Sequence, residues 1–203
     1  MNYKLISKLL GYILLIETAF MAPSLILSLV ERDGSSYGFL IPMAIAVFLG
    51  LILINLKIKK NSLSPRDGIL TVTASWVLVS IIGALPLCIS AGMTYVDSFF
   101  EIVSGFTTTG ASVISGIESF PRSVVLWRSI THWIGGMGIL VFTVGLLPKL
   151  GVGAFQIFKA ESPGPVAGKI ESRISQSSKR LYIIYLILTL ALFILLKLAG
   201  MPV

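Results

Sequence analysis

The sequence predicts an all-α polytopic membrane protein: two leading transmembrane helices, one complete helix–pore-loop–helix unit, and the first helix of a second unit. Three observations predict it. Of 203 residues, 55% are hydrophobic and only 12% charged, about half the charge of a soluble domain, whose usual share is roughly 25%. Lipid is the solvent that such a composition suits. Five apolar runs approach or exceed the roughly 20 residues that a spanning helix needs. Between the third and fourth of them lies an aromatic stretch too short to cross, followed at once by Thr107-Thr108-Thr109-Gly110.

The elements follow in order. The first span covers residues 5–30, with Pro23 inside it as a candidate kink. The polar turn Glu31-Arg32-Asp33-Gly34 separates it from the second span at 39–56. A basic segment follows, with Lys57, Lys59, Lys60 and Arg66, and closes the leading hairpin at residue 68. The third span covers 69–91 and the fourth 124–147, so residues 69–148 form the pore-loop unit. Residues 149–180 read as a basic loop, with Ser162-Pro163-Gly164-Pro165 inside it, and residues 181–203 as the opening helix of a second unit, its fifth span at 181–198.

Charge sets the orientation. The formal net charge is +7, but the cations sit in short segments between apolar runs, with no aromatic-interleaved groove, which argues against nucleic acid as a partner. Lys4 and Lys8, then the 57–66 cluster, then Lys149, Lys159, Lys169, Arg173, Lys179 and Arg180 mark one side; Arg32 and Arg122 stand on the other. The positive-inside rule makes the first side cytoplasmic, including the N-terminus. The first run is too long for a cleaved signal peptide, and no small-x-small site follows it. The single cysteine, Cys88, lies in an apolar run and forms no internal disulfide.

Residues 92–123 are then external. Their aromatic start, 95–106, makes a helix of about 18 Å at 1.5 Å per residue, which suits a re-entrant segment. Non-helical backbone at that depth is tolerated only where protein or a water-filled cavity satisfies it. A dehydrating cation needs replacement oxygens, which stacked carbonyls supply. Gly110 provides backbone angles that an extended carbonyl run requires, the threonine hydroxyls add ligands or ties, and the short helix turns its negative C-terminal end toward the ion. Thr107, Thr108, Thr109 and Gly110 are therefore the candidate monovalent-cation site, the ion being transported rather than a bound cofactor.

Asp97, Glu101 and Glu118 are acids of the external segment, read either as a cation-attracting vestibule or as structural partners. Arg128, near the outer end of the fourth span, is costly unpaired, and Glu101 is its expected partner. Gly135-Gly136-Met137-Gly138 allows close helix approach, beside the loop or elsewhere. His132, the one histidine, reads as structural. Glu17, mid-span, is a functional candidate by position, with packing or an inter-helix hydrogen bond as the favoured role. Trp127 and Trp133 flank the outer part of the fourth span, and interfacial anchoring suffices for Trp127. The 149–180 segment either meets a regulatory partner or only fixes topology. No paired nucleophile and base and no metal cluster support an enzyme; the main alternative to ion transport is a non-transporting membrane scaffold.

With these residues in hand, the chain resembles the Trk/Ktr potassium transporters, and the Trk-type membrane subunit most closely. The resemblance is carried by Arg32-Asp33-Gly34, Arg66-Asp67-Gly68, residues 97–101 (DSFFE), 106–112 (FTTTGAS), 133–138 (WIGGMG) and 160–165 (AESPGP). It implies four successive helix–pore–helix units around a pseudo-fourfold filter, with Thr108 and Thr109 lining potassium sites and Thr107 and Gly110 beside them. It also implies a homodimer in the bacterial cytoplasmic membrane, controlled by a cytosolic nucleotide-binding ring subunit. One loop is present here, so the chain either tetramerises or is the N-terminal part of a longer protein. Ala91-Gly92-Met93 and Ala199-Gly200-Met201 end two outward-going spans alike, which favours a second unit starting near Leu181.

Overall fold

A computed structural model describes residues 1–57, 64–138 and 171–200. Among the described residues every regular element is helical. Helix α1 (Tyr3–Glu31) starts at Asn2, whose side chain accepts from the Leu5 amide, and remains one helix across Pro23. It ends at Arg32 in the left-handed region, φ 52°. Helix α2 (Ser36–Ile54) returns antiparallel. The two cross where Gly11 meets Gly50: a Cβ on either would lie about 3 Å from the other's carbonyl oxygen, so only glycine allows this approach.

The third span differs from the expected single run. Helix α3 (Pro65–Gly83) begins four residues early, because Ser64 and Asp67 form a capping box around Pro65. It then breaks at Ala84, and α4 (Leu85–Ala91) completes the crossing. Pro86, lacking an N–H, explains the break. Two carbonyls around it find side-chain donors: Ile81 accepts from the Tyr95 hydroxyl at 3.1 Å and Gly83 from the Trp127 indole at 2.9 Å.

Helix α5 (Tyr95–Phe106) has the expected bounds, capped by Thr94, whose hydroxyl receives the Asp97 amide. A loop and a 3-10 turn (Ile117–Ser119) lead to α6 (Arg122–Met137), which starts two residues earlier than expected. The rest of the fourth span, from residue 139, lies outside the described residues, as do most of the 149–180 segment and its Ser162–Pro165 stretch. Helix α7 (Glu171–Leu198) begins ten residues before the expected start, so the last part of that segment is helix rather than loop. Gly92 at the end of α4 and Gly200 after α7 both have positive φ, 65° and 83°, so the two Ala-Gly endings share a backbone geometry as well as a sequence.

Among the described residues, three stretches are long and apolar enough to cross a membrane: Tyr3–Glu31, Ser36–Ile54 and Arg66–Ala91; the apolar part of α7, Tyr182–Leu198, is shorter. The core runs from Leu5, Leu9, Ile13, Leu14 and Met21 of α1 to Phe39 of α2, Leu87 of α4, Ile102 and Phe106 of α5, and Trp127 of α6. Outward, α2 exposes Leu40, Ile41, Phe48, Leu51 and Ile52, and α7 exposes a run of apolar side chains between Ile183 and Leu198. A surface that is apolar outside and polar at the helix ends suits lipid contact.

Two polar clasps hold the ends. At one, Asp67 accepts from the Ser64 amide and hydroxyl and from the Asn2 amide, joining the starts of α1 and α3. At the other, Asp33 accepts from the hydroxyls of Ser28, Ser35 and Ser123, joining the α1–α2 turn to the start of α6. Burial works against the charge on Asp33, but the Ser123, Ser28 and Ser35 hydroxyls and the Ser35 amide outweigh it and hold the carboxyl well below the usual carboxylate range.

Candidate functional site

The segment after α5 is fixed at both ends. Its first turn is a Schellman cap: the Thr109 amide donates to the Ser104 carbonyl at 3.0 Å and the Thr108 amide to that of Gly105 at 2.9 Å. That cap requires a left-handed residue, and here it is Thr108, φ 55°. A β-branched side chain in this region is a genuine outlier. Gly110, φ 75°, makes a second left-handed turn two residues later. Sequence reasoning identified Gly110 as the position needing special backbone angles and missed that Thr108 needs them too, because a threonine carries no signal for left-handed backbone.

Hydroxyls tie the threonines locally. Thr107 Oγ1 donates to the Val103 carbonyl and lies 2.8 Å from Thr109 Oγ1; Thr108 Oγ1 donates to the Thr107 carbonyl at 2.7 Å. On the return, the Ser104 hydroxyl donates to the Ala111 carbonyl at 2.6 Å. Among the described residues, no donor is paired with the carbonyl oxygens of Thr108, Thr109 or Gly110. Residues 107–112 are exposed. The loop therefore presents a short run of unengaged carbonyls from a braced backbone.

Glu101 is the brace. It is fully buried, and Oε1 accepts from the Ser112 hydroxyl at 2.7 Å and the Val113 amide at 2.6 Å, with Ile114 at 3.3 Å. Oε2 accepts from Arg128 Nε at 2.8 Å. The expected Glu101–Arg128 pair is present, and Glu101 does not face an open vestibule. Burial acts to raise its carboxyl; the bonds from Arg128, Ser112 and Val113 outweigh that and hold it below its ordinary value. Asp97 is engaged with the Thr94 hydroxyl at 2.7 Å, and Glu118 is exposed in the 3-10 turn. The structure thus separates the three acids, with one inside and two outside.

Helix α6 backs this assembly. A Cβ on Gly135 would press into the Phe106 carbonyl oxygen and lie 2.7 Å from that of Gly105. The glycine motif accordingly lets α6 meet the last turn of α5. Gly136 faces the Tyr185 hydroxyl of α7, which donates to the Trp133 carbonyl at 3.0 Å. His132 is bonded within its own helix: a carbonyl only accepts, so its Nδ1 donates to Arg128 O at 2.9 Å. Trp127 departs from the interfacial expectation. It is fully buried, packs edge-on against Phe106 and bonds the Gly83 carbonyl, because the α3–α4 break leaves an acceptor inside the protein that an indole N–H satisfies. Glu17 is fully buried on α1, with no hydrogen-bond partner among the described residues; of the two expected roles, packing or an inter-helix bond, only the packing is seen there.

Sequence reasoning also missed Ser104 and Ser112. Their signal was the short helix itself: residues 101 and 104 share one face, and that face braces the loop.

A family model described as TrkH, cation transport protein, matches residues 38–200. The chain is 37% identical over 207 residues to the Trk system potassium uptake protein TrkH of Salmonella typhimurium, covering 100% of this chain and 43% of that one. It is also 37% identical over 206 residues to the protein of the same name from Escherichia coli, covering 99% and 42%. The crystal structure of the potassium transporter TrkH from Vibrio parahaemolyticus superposes with a TM-score of 0.78 at 33% identity, over 100% of this chain and 41% of that one. The chain thus spans about two-fifths of the length of the curated relatives it matches.

Proposed function

The chain belongs to the TrkH family of cation transport proteins, and we propose that it contributes the first pore-loop unit of the ion-translocating subunit of a bacterial potassium uptake system. The observation that carries this reading is the braced run of free carbonyls at Thr108, Thr109 and Gly110. A dehydrated monovalent cation needs such oxygens. Dipole and geometry agree, since α5 ends at Phe106 and turns its partial negative charge toward the same place. Thr107 and Thr109 hold the carbonyl run through their hydroxyls.

One loop does not enclose an ion; potassium filters use four. In this reading the exposed face of residues 107–112 meets equivalent loops around a common axis, supplied by later units of the same polypeptide. The relatives' printed names, potassium uptake proteins of a Trk system, support potassium as the ion. The complete protein is then a homodimer in the cytoplasmic membrane, regulated by a cytosolic nucleotide-binding ring, and works as a transporter rather than an enzyme. The distribution of Lys4, Lys8, Lys57 and Arg66 favours a cytoplasmic N-terminus. Asp33, Ser123 and the 107–116 loop are then external.

Gly110→Ser tests the reading. A Cβ at Gly110 meets nothing of this chain within 4 Å, so within the unit the substitution acts through the positive φ of 75°. A left-handed non-glycine residue costs about 1–2 kcal/mol, enough for roughly a tenfold change in rate. Expressed from its complete gene in cells lacking their own potassium uptake, the variant is expected to lose about that much uptake and to discriminate less against sodium. Unchanged uptake and unchanged ion preference would remove the basis for the proposal.

A further inference from the structure

Glu17 lies 14 residues from each end of α1, about 21 Å along the axis at 1.5 Å per residue, and so midway through the span. Both its carboxyl oxygens lack a partner among the described residues, as does the Ser24 hydroxyl two turns further on. The side chain is 0% exposed. Its Oε1 rests against Gly83 at the α3–α4 break. A Cβ built on Gly83 would lie 3.1 Å from Glu17 Oε1, 3.1 Å from Ile102 Cγ2 and 3.4 Å from Phe106 Cε2. The carboxyl, the break and the last turn of α5 therefore share one point, and Phe106 is the residue before Thr107.

Described charged and titratable groups on the surrounding elements are engaged elsewhere or stand near the helix ends. On α1 itself these are Tyr3, Lys4, Lys8 and Tyr12 toward the start, and Glu31, bonded to Arg122 of α6. Helix α2 has only Tyr37, which is exposed. Helix α3 has Arg66, exposed, and Asp67, in its clasp; α4 has Cys88. On α5, Tyr95 bonds Ile81, Asp97 bonds Thr94 and Glu101 bonds Arg128; on α6, His132 bonds the Arg128 carbonyl. No described cation is bonded to Glu17. An ionised carboxylate in that position is shut off from solvent and has no counter-charge among the described residues, whereas the neutral acid has only one O–H to place.

We propose that Glu17 is a proton-binding site in the wall of the pore-loop unit, enclosed by Gly83, Ile102 and Phe106. Losing the proton creates an unpaired charge behind α5 and disturbs the turn that carries Thr107–Gly110. This second half rests on the potassium-uptake reading; the first does not.

Infrared difference spectroscopy of the purified protein, expressed from its complete gene, tests the site. At neutral pH the wild type should show a carboxylic-acid C=O band that Glu17→Gln removes and Glu17→Asp shifts; at alkaline pH the wild type should lose it. Uptake measured over the same pH range should fall in the wild type and stay flat in Glu17→Gln. If Glu17→Gln does not fold, the alkaline-minus-neutral spectra of the wild type and Glu17→Asp still decide. No carboxylic-acid band at neutral pH would overturn the site. The band with identical pH profiles for wild type and Glu17→Gln would overturn the coupling to the loop. The band in a wild type that takes up no potassium at any pH would refute the potassium reading and leave the proton site standing.

Discussion

Glu101 accepts from one hydroxyl, two amides and one guanidinium, so a single buried carboxylate fixes both the return of the 107–114 segment and the outer half of α6. Removing one partner of such a pair leaves a buried charge uncompensated, at a cost of about 3–5 kcal/mol. Glu101→Gln and Arg128→Gln are each expected to lower the thermal midpoint of the solubilised protein and, on the proposed function, to reduce potassium uptake. The double variant should recover much of both losses, since neither charge is then stranded and the glutamine amide introduced on α5 keeps a carbonyl acceptor for Ser112 and Val113. Two single effects that simply add would show that the pair is not coupled. Thr108 is the other residue whose cost is local: it occupies a cap position that glycine fills at no steric penalty. Its hydroxyl, bonded to the Thr107 carbonyl, is what glycine does not offer.

At the scale of elements, α5 is held from three sides. Helix α3–α4 receives Tyr95 and Trp127 at its break, α1 lays Glu17 against Gly83, and α6 closes the third side through Gly135. The last contact is backbone against backbone, so no side chain can give way. Gly135→Ala drives a methyl into the Phe106 carbonyl oxygen, and overpacking of this kind costs about 1–3 kcal/mol. The expected outcome is a roughly tenfold loss of uptake with protein still reaching the membrane, measured as uptake per amount of membrane-inserted protein. Wild-type uptake in this variant would mean that α6 does not set the position of the loop.

Across the whole molecule, lipid removes the hydrophobic drive that holds helices together in water, leaving close packing and polar bonds. The glycine crossing of α1 and α2 is one such device; the Asp67 and Asp33 clasps at opposite ends are others. The Arg122–Glu31 bridge adds little by comparison, since its side chains are 70% and 27% exposed and exposed pairs contribute about 0–1 kcal/mol. Hydrogen bonds to a charged group contribute about 1.5–3 kcal/mol. A double-mutant cycle with Asp33→Ala and Ser123→Ala, read by thermal unfolding in detergent, should return a coupling energy in that range. A coupling near zero would show that the leading hairpin is docked on α6 by packing alone.

The order of amino acids is enough to establish the all-helical membrane class, the bounds of the short helix and the place of the carbonyl loop, and it suggests the Glu101–Arg128 partnership. These follow from composition, run length and the rule that a buried charge needs a counter-charge, all of which act locally or on residue type. Packing between helices settles the rest. The break at Ala84 needs Tyr95 and Trp127 to serve its freed carbonyls, which turns an expected interfacial tryptophan into a core residue. The left-handed Thr108 follows from how α5 terminates and how Ser104 and Glu101 pull the chain back, and the isolation of Glu17 from which helices enclose it. At the break and at Glu17 a group is satisfied, or left unsatisfied, by residues distant in sequence that no short window contains; at Thr108 the partners are near in sequence, but which of them bond is decided by how α5 is packed.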